Sequence, residues 1–327
     1  MENSTVKGSN NKSRLRQVIS SYGMVLVLIA LFAIFSITAP NFLTMTNIFN
    51  VLRQVSITGI IAVGMTFVMI TAGIDLSVGS IAGFSGVSAA ILMVNHGMNP
   101  VLVSIIMCLL GVGLGLVNGF FISVLDIPPF IATLGMMVSI RGLAYIVTGA
   151  LPVFGFDKAF TILGQGYFGP VPIPVVVMAI CFAFGIVFLQ KTRPGRHIYG
   201  IGGNEEAARL SGVNIIKIKL LVYGVSGFMS ALAGLVVLAR TNSGQPNAGE
   251  GYEMDVITGV VLGGVSMSGG QGHLGMVIIG VLIMGILQNG MTMLGINEFV
   301  QQFVRGLVLI AAVAFDSFVK KRKAKAD

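Results

Sequence analysis

Two long stretches of this chain carry no Asp, Glu, Lys or Arg: Leu76 to Leu125, and Val256 to Asn297. A soluble fold has to hydrate its surface and would interrupt such stretches with charge. Only 10% of residues are charged while 55% are hydrophobic, and the mean hydropathy is +0.93. This is the composition of a chain whose solvent is largely lipid. Within lipid each segment must satisfy its own backbone hydrogen bonds, so the expected class is an all-α polytopic membrane protein.

A spanning helix needs roughly 20 mostly apolar residues to cross about 30 Å of hydrocarbon. Apolar runs between polar breaks place spans near 22–39, 53–72, 78–94, 101–124 and 130–149, then 172–189, 219–238, 254–267, 275–292 and 299–317. The eighth of these ten is short and glycine-rich, which suits a broken or re-entrant helix shielded by protein. The run from Tyr22 to Ala39 is long for a signal peptide, and no small-residue cleavage site follows it. The expected organisation is a tail at 1–20, one transmembrane domain at 21–318 with an internal polar loop at 190–219, and a basic tail at 319–327.

Basic residues set the orientation. The first tail, the 190–219 loop and the last tail hold fifteen of the twenty Lys and Arg. Ten crossings put all three on one side, so both termini are expected in the cytoplasm. The net charge of +8 then meets anionic lipid, not nucleic acid. Cys108 and Cys181 read as small buried hydrophobes. His96, His197 and His273 fall in separate loops with no metal-ligand spacing. No catalytic, cofactor-binding or metal constellation is expected.

The chain carries a faint internal echo. Asp75, Gly79 and Gly83 form D-x3-G-x3-G, and Asp255, Gly259 and Gly263 repeat it. Each Asp is expected to open a helix and cap free amides, with the glycines giving that helix a thin face. Five crossings separate the copies, so they form inverted repeats, an arrangement suited to alternating access. Gly111, Gly115 and Gly119 make a second packing face. Asp75 and Ser77, beside a polar break, and Asn118 and Asn289, inside spans, are candidates for the pathway or a gate. Helix capping and helix–helix hydrogen bonding serve them equally well, and the same holds for Gln288. Arg141 and Arg305 in apolar spans are expected to find partners or snorkel.

The loop TRPGRHIYGIGGNEEAARLSGVNIIKIK, from Thr192 to Lys219, is too organised for a linker. Gly202 and Gly203 permit a turn, Asn204 can cap a helix, Glu205 and Glu206 suit its first turn, and Gly212 stops it. So short a helix needs neighbouring protein to order it. A helix lying among lipid headgroups, with Arg193, Arg196 and Arg209 on phosphates, fits its chemistry as well as a docking element does.

The chain resembles the permease subunits of bacterial binding-protein-dependent ABC sugar importers. The resemblance is carried by PNFLTMTNIFNVLRQ from Pro40, AVGMTFVMITAGIDLSVGS from Ala62, PPFIATLGMMVSIRG from Pro128, the loop from Thr192 to Asn214, QPNAGEGYEMDVITGVVLGGVSMSGGQG from Gln245, and LQNGMTMLGI from Leu287. It implies a type II ABC importer-like permease in the inner membrane, with ribose as cargo; allose, xylose, galactose or a furanosyl relative are alternatives. It further implies a second permease subunit forming a homodimer, a cytoplasmic ABC ATPase that holds ATP and Mg, and a periplasmic or lipoprotein sugar-binding protein. In such a permease the loop is the coupling helix, matched at Gly203, Asn204, Glu205, Ala207, Arg209, Leu210 and Gly212. The stretch GGQGHLG around His273 lacks the Lys-Ser/Thr of a phosphate loop, which agrees with an ATPase on a separate subunit. An ion-coupled secondary transporter and a non-transporting scaffold are the rival classes.

Overall fold

The computed structural model describes residues 23–156 and 158–323. The N-terminal tail at 1–20 and residues 324–327 of the basic C-terminal tail lie outside the described residues. The first helix, α1, is Gly23–Thr38. It is followed by α2 (Met45–Ile70), α3 (Val78–Val94), α4 (Pro100–Ser123), α5 (Pro129–Thr148), α6 (Lys158–Gln165), a hairpin of β1 (Tyr167–Phe168) and β2 (Val171–Pro172), and α7 (Ile173–Lys191). Then come α8 (Arg193–Gly203), α9 (Glu205–Leu210), α10 (Ile215–Thr241), α11 (Tyr252–Leu262), α12 (Leu274–Met293) and α13 (Glu298–Lys323).

Each of the ten expected spans coincides with a helix. Seven are long and apolar enough to cross a membrane, with α1 and α3 shorter but apolar. The eighth, α11, has 11 residues and extends roughly 16 Å, so its helix alone covers only part of a crossing. Local chemistry starts and stops the helices. Asn99 accepts from the Val101 amide at 2.9 Å and Asn214 from the Lys217 amide at 3.0 Å, each occupying a donor the helix leaves open. At the other end α5 stops at Gly149, φ +59°, and α10 at Asn242, φ +51°, both left-handed.

Three features between the spans differ from the sequence reading. The segment from 158 to 172 folds as α6 and the β1–β2 hairpin, not as loop. Gly202 and Gly203 make no turn: they are the last residues of α8, which also contains His197. Asp255 does not open α11 but sits inside its first turn.

In lipid there is little hydrophobic gain from pairing two apolar helices, so close packing of small residues decides which helices meet. α2 and α10 are the most buried and cross each other at the centre. α4, α5, α7 and α13 surround them and leave apolar faces outward, Leu102, Ile105 and Leu109 on α4 among them. α4 reaches α10 through its glycines. A Cβ on Gly115 would sit 3.1 Å from the Gly224 Cα and collide with the Tyr223 carbonyl; one on Gly119 would lie 2.9 Å from the Leu220 Cα. Gly111 likewise faces the Gly227 carbonyl.

The quartets α2–α5 and α10–α13 make matching contacts. α3 packs on α10 as α11 packs on α2, α4 on α10 as α12 on α2, α3 on α5 as α11 on α13, and α3 on α4 as α11 on α12. The glycine echo takes part in this pattern with different partners. Gly79 and Gly83 lie against the carbonyls of Gly249 and Ala248, whereas Gly259 and Gly263 lie against Val281 and Val277 of α12.

Candidate functional site

Two regions gather the polar groups that the apolar spans otherwise lack. The first is the α8–α9 unit. Thr192 Oγ1 accepts from the Gly195 amide at 3.1 Å and opens α8. α8 is held against the bundle by the Tyr199 hydroxyl, which donates to the Gly272 carbonyl at 2.8 Å. Burial pushes the Tyr199 phenol up, keeping it a neutral donor. Gly202 lies so close to the Ile70 carbonyl and the Gly270 amide that a side chain has no room, which is why a glycine sits in this helix. Gly270 in turn donates to Ile70 at 2.9 Å, so the end of α2, the end of α8 and the loop after α11 converge.

Asn204 closes α8 and starts α9, its Oδ1 accepting from the Ala207 amide at 2.9 Å. The far end of α9 is a Schellman turn: Val213 donates to Ala208 at 3.1 Å and Gly212, φ +82°, to Arg209 at 3.0 Å. Such a turn needs a left-handed residue at that position. The two alanines divide: Ala208 is buried under the helix and Ala207 faces outward with Arg209 and Leu210. Leu210 is 82% exposed. Glu205, a candidate docking residue, also has partners within the chain: Lys219 Nζ lies 2.8 Å from its Oε2 and Arg209 Nη2 3.5 Å from its Oε1, while its side chain stays 38% exposed. The Lys219 contact joins α9 directly to α10. Gly203 is exposed beside this joint.

The second region is buried among the helices. After α2 a turn at 71–73, hydrogen-bonded back to Val68 and Met69, leads to Asp75 and Ser77, both fully buried. Asp75 Oδ1 accepts from the Ser77 amide at 3.0 Å and the Ser77 hydroxyl at 2.6 Å, and Oδ2 accepts from the Ser226 hydroxyl at 2.7 Å. Asn118 of α4 donates to Ser77 Oγ at 2.8 Å. One carboxylate thus ties the start of α3 to α4 and α10.

α2 and α12 are held by side-chain amides. Asn47 and Asn289 exchange two hydrogen bonds of 3.0 and 2.9 Å, and Gln54 donates to Gln288 at 2.8 Å. The two span arginines both have partners. Arg141 Nη1 donates to the carbonyls of Pro246 and Ala248 at 2.8 and 2.7 Å, and Arg305 Nη1 lies 3.0 Å from Asp255 Oδ2. Asp75, Ser77 and Asn118 therefore form one cluster, while Asn289 stands apart in the α2–α12 seam. Ser226, Asn47 and Gln54 were missed in sequence. Their only mark there is a polar residue in an apolar run, and their partners are separated by 151, 242 and 234 positions. Among the described residues no group of three His, Cys, Asp or Glu could hold a metal, and Cys108 and Cys181 are free thiols.

Residues 47–313 match the family described as branched-chain amino acid transport system / permease component. The ribose import permease RbsC of Bacillus subtilis (strain 168) is 43% identical over 301 residues, covering 91% of this chain and 93% of that protein. The L-arabinose transport system permease AraH of Escherichia coli (strain K12) is 40% identical, covering 92% of each. The probable ABC transporter permease YphD of the same strain is 36% identical, covering 98% of this chain and 96% of that protein. No solved structure matches.

Proposed function

The chain belongs to the permease-component family of the branched-chain amino acid transport system type, and we propose that it is the membrane passage of an ATP-driven monosaccharide importer whose cargo is ribose. It is a multi-pass membrane transport component and not an enzyme. The observation that carries the cargo is the 43% identity, sustained over 91% of the chain, with a ribose import permease. The somewhat lower identity to an arabinose permease makes L-arabinose the competitor to test.

In this reading ATP and Mg sit on a separate cytoplasmic ABC ATPase, an extracytoplasmic binding protein delivers the sugar, and a second copy of the chain completes the passage. Both termini and the α8–α9 unit face the cytoplasm. The exposed side of α9, with Ala207, Arg209 and Leu210, is the surface the ATPase pushes. Displacement passes through Glu205–Lys219 into α10, and from Ser226 of α10 to Asp75 at the start of α3. Its physical support is contiguity, each link being a hydrogen bond or ion pair of 2.9 Å or less. Neutral amides and hydroxyls suit a passage that must release its sugar.

The test is reconstitution in liposomes with the ATPase and binding protein. ATP-dependent uptake of labelled ribose is expected, weakly inhibited by L-arabinose. Equal uptake without the ATPase overturns the mechanism, and uptake that collapses with the ion gradient while ATP remains points to a secondary transporter. Transport of another sugar alone corrects the cargo.

A further inference from the structure

The segment between α10 and α11 does not stay at the end of the bundle. Its depth follows from contacts along α3. Asp75, just before α3, bonds Ser226, the twelfth of the 27 residues of α10, so α3 starts near the middle of a helix about 40 Å long. Gly79 is the second residue of α3. Gly249, φ +75°, packs on it backbone to backbone: a Cβ there would lie 3.4 Å from the Gly79 Cα and collide with the Gly79 carbonyl. The chain therefore turns back from Thr241 to mid-depth before α11 begins at Tyr252. Arg141 pins it there through the carbonyls of Pro246 and Ala248, and Gly83 of α3 faces the second of these.

This dipping segment has two faces. Pro246 and Gly249 are buried, whereas Gln245, Asn247 and Glu250 are exposed. Among the described residues the Glu250 carboxylate forms no ion pair. A charge at the middle of a bilayer is costly and faces the bundle interior or a water-filled cavity. Non-helical backbone at that depth is likewise tolerated only where protein covers it or water lines it. An exposed carboxylate on a non-helical segment meets both conditions in one way, by facing water. The amides of Gln245 and Asn247 add donors and acceptors that match hydroxyl groups. Because Glu250 is exposed, each bond it accepts from a sugar replaces one from water and the net gain is modest. A sugar is handed on there, not held.

We propose that Gln245, Asn247 and Glu250 form the wall of a water-filled passage at mid-membrane, where Glu250 accepts hydrogen bonds from the hydroxyls of a passing neutral monosaccharide. The sugar in this proposal rests on the import reading above; the water-filled wall does not. The test uses the complete importer in proteoliposomes, with C108A and C181A removing the native thiols. E250C and N247C are treated with a permanently charged methanethiosulfonate reagent, which attacks only a hydrated thiolate. L109C is the lipid-facing reference: Leu109 is 65% exposed and is the tenth of the 24 residues of α4, so it too lies near mid-depth. E250C and N247C are expected to be labelled and L109C not; should one of the first two not fold, the other gives the readout. Labelling at neither, as when a cation of the second copy covers Glu250, overturns the passage wall, and equal labelling of L109C overturns the depth argument. In parallel, E250Q is expected to lower ribose uptake by about three- to tenfold, the scale of one weakened hydrogen bond, with E250D closer to the wild type. Wild-type uptake in E250Q removes the sugar contact. If the wild type imports no sugar at all while E250C is still labelled, the import reading falls and the sugar contact with it, and the water-filled wall stands.

Discussion

Replacing Gly115 with alanine adds one methyl group at the place where α4 meets the backbone of α10. That methyl collides with the Tyr223 carbonyl and lies 2.8 Å from its carbon and 3.1 Å from the Gly224 Cα. All three are backbone atoms, so no rotamer change relieves the contact and the helices must separate. Overpacking of this kind costs about 1–3 kcal/mol. Gly113, two residues away on the same helix, has nothing within 4 Å of its Cβ position. There alanine gains the helix preference over glycine, about 0.8–1 kcal/mol. The two substitutions are chemically identical and differ only in face, so the helix preference cancels between them and their separation of about 1–3 kcal/mol isolates the crossing itself. In purified protein melted in detergent, G115A should unfold about 2–4 °C below G113A, with G113A at or above the wild type. Equal midpoints would refute the argument that α4 and α10 touch backbone to backbone.

Other outcomes follow from the polar contacts. Asp75→Ala strips three buried donors of their acceptor at about 1–3 kcal/mol each, so little folded protein should remain by size exclusion, while Asp75→Asn, retaining one oxygen, should be intermediate; a wild-type melt for the alanine variant counts against the network. Lys219→Ala should move the melting point little, since its partner Glu205 is 38% exposed and such pairs contribute about 0–1 kcal/mol, yet it should lower sugar imported per ATP; unchanged coupling removes the transmission route. A cysteine at Ala207 should crosslink to cysteines on the ATPase in a transporting complex, and failure at every position would take the docking surface away from α9.

The spans were legible because lipid enforces one rule along the whole chain: twenty or so apolar residues between breaks. What escaped was whatever depends on a neighbour. α8 looked like a turn because Gly195, Gly200, Gly202 and Gly203 lower helix propensity. Its helix exists because Gly195 and Gly202 approach the Leu189 and Ile70 carbonyls, contacts no local pattern announces. α6 and the hairpin were hidden in a stretch of mixed glycine, proline and phenylalanine. Asn204 and Gly212 were readable because capping is local, whereas the Glu205–Lys219 pair was not, because Lys219 is brought to Glu205 by the turn at Gly212 and the start of α10.

The two seams around the central pair have opposite mechanical character. Where α4 meets α10, backbone lies on backbone at Gly111, Gly115 and Gly119, and those close approaches cannot be relieved by a change of rotamer. Any sliding there opens a void or a clash, so the two helices behave as one rigid plank. Where α2 meets α12, the same architectural position is held at one end by side-chain amides. An amide can trade one partner for another at little net loss, so this joint can part and re-form without breaking the helices on either side. The bundle is therefore lopsided by chemistry despite its matching plan: it has a stiff flank and a clasped one, and strain entering through α9 should be taken up on the side where the bonds can be exchanged.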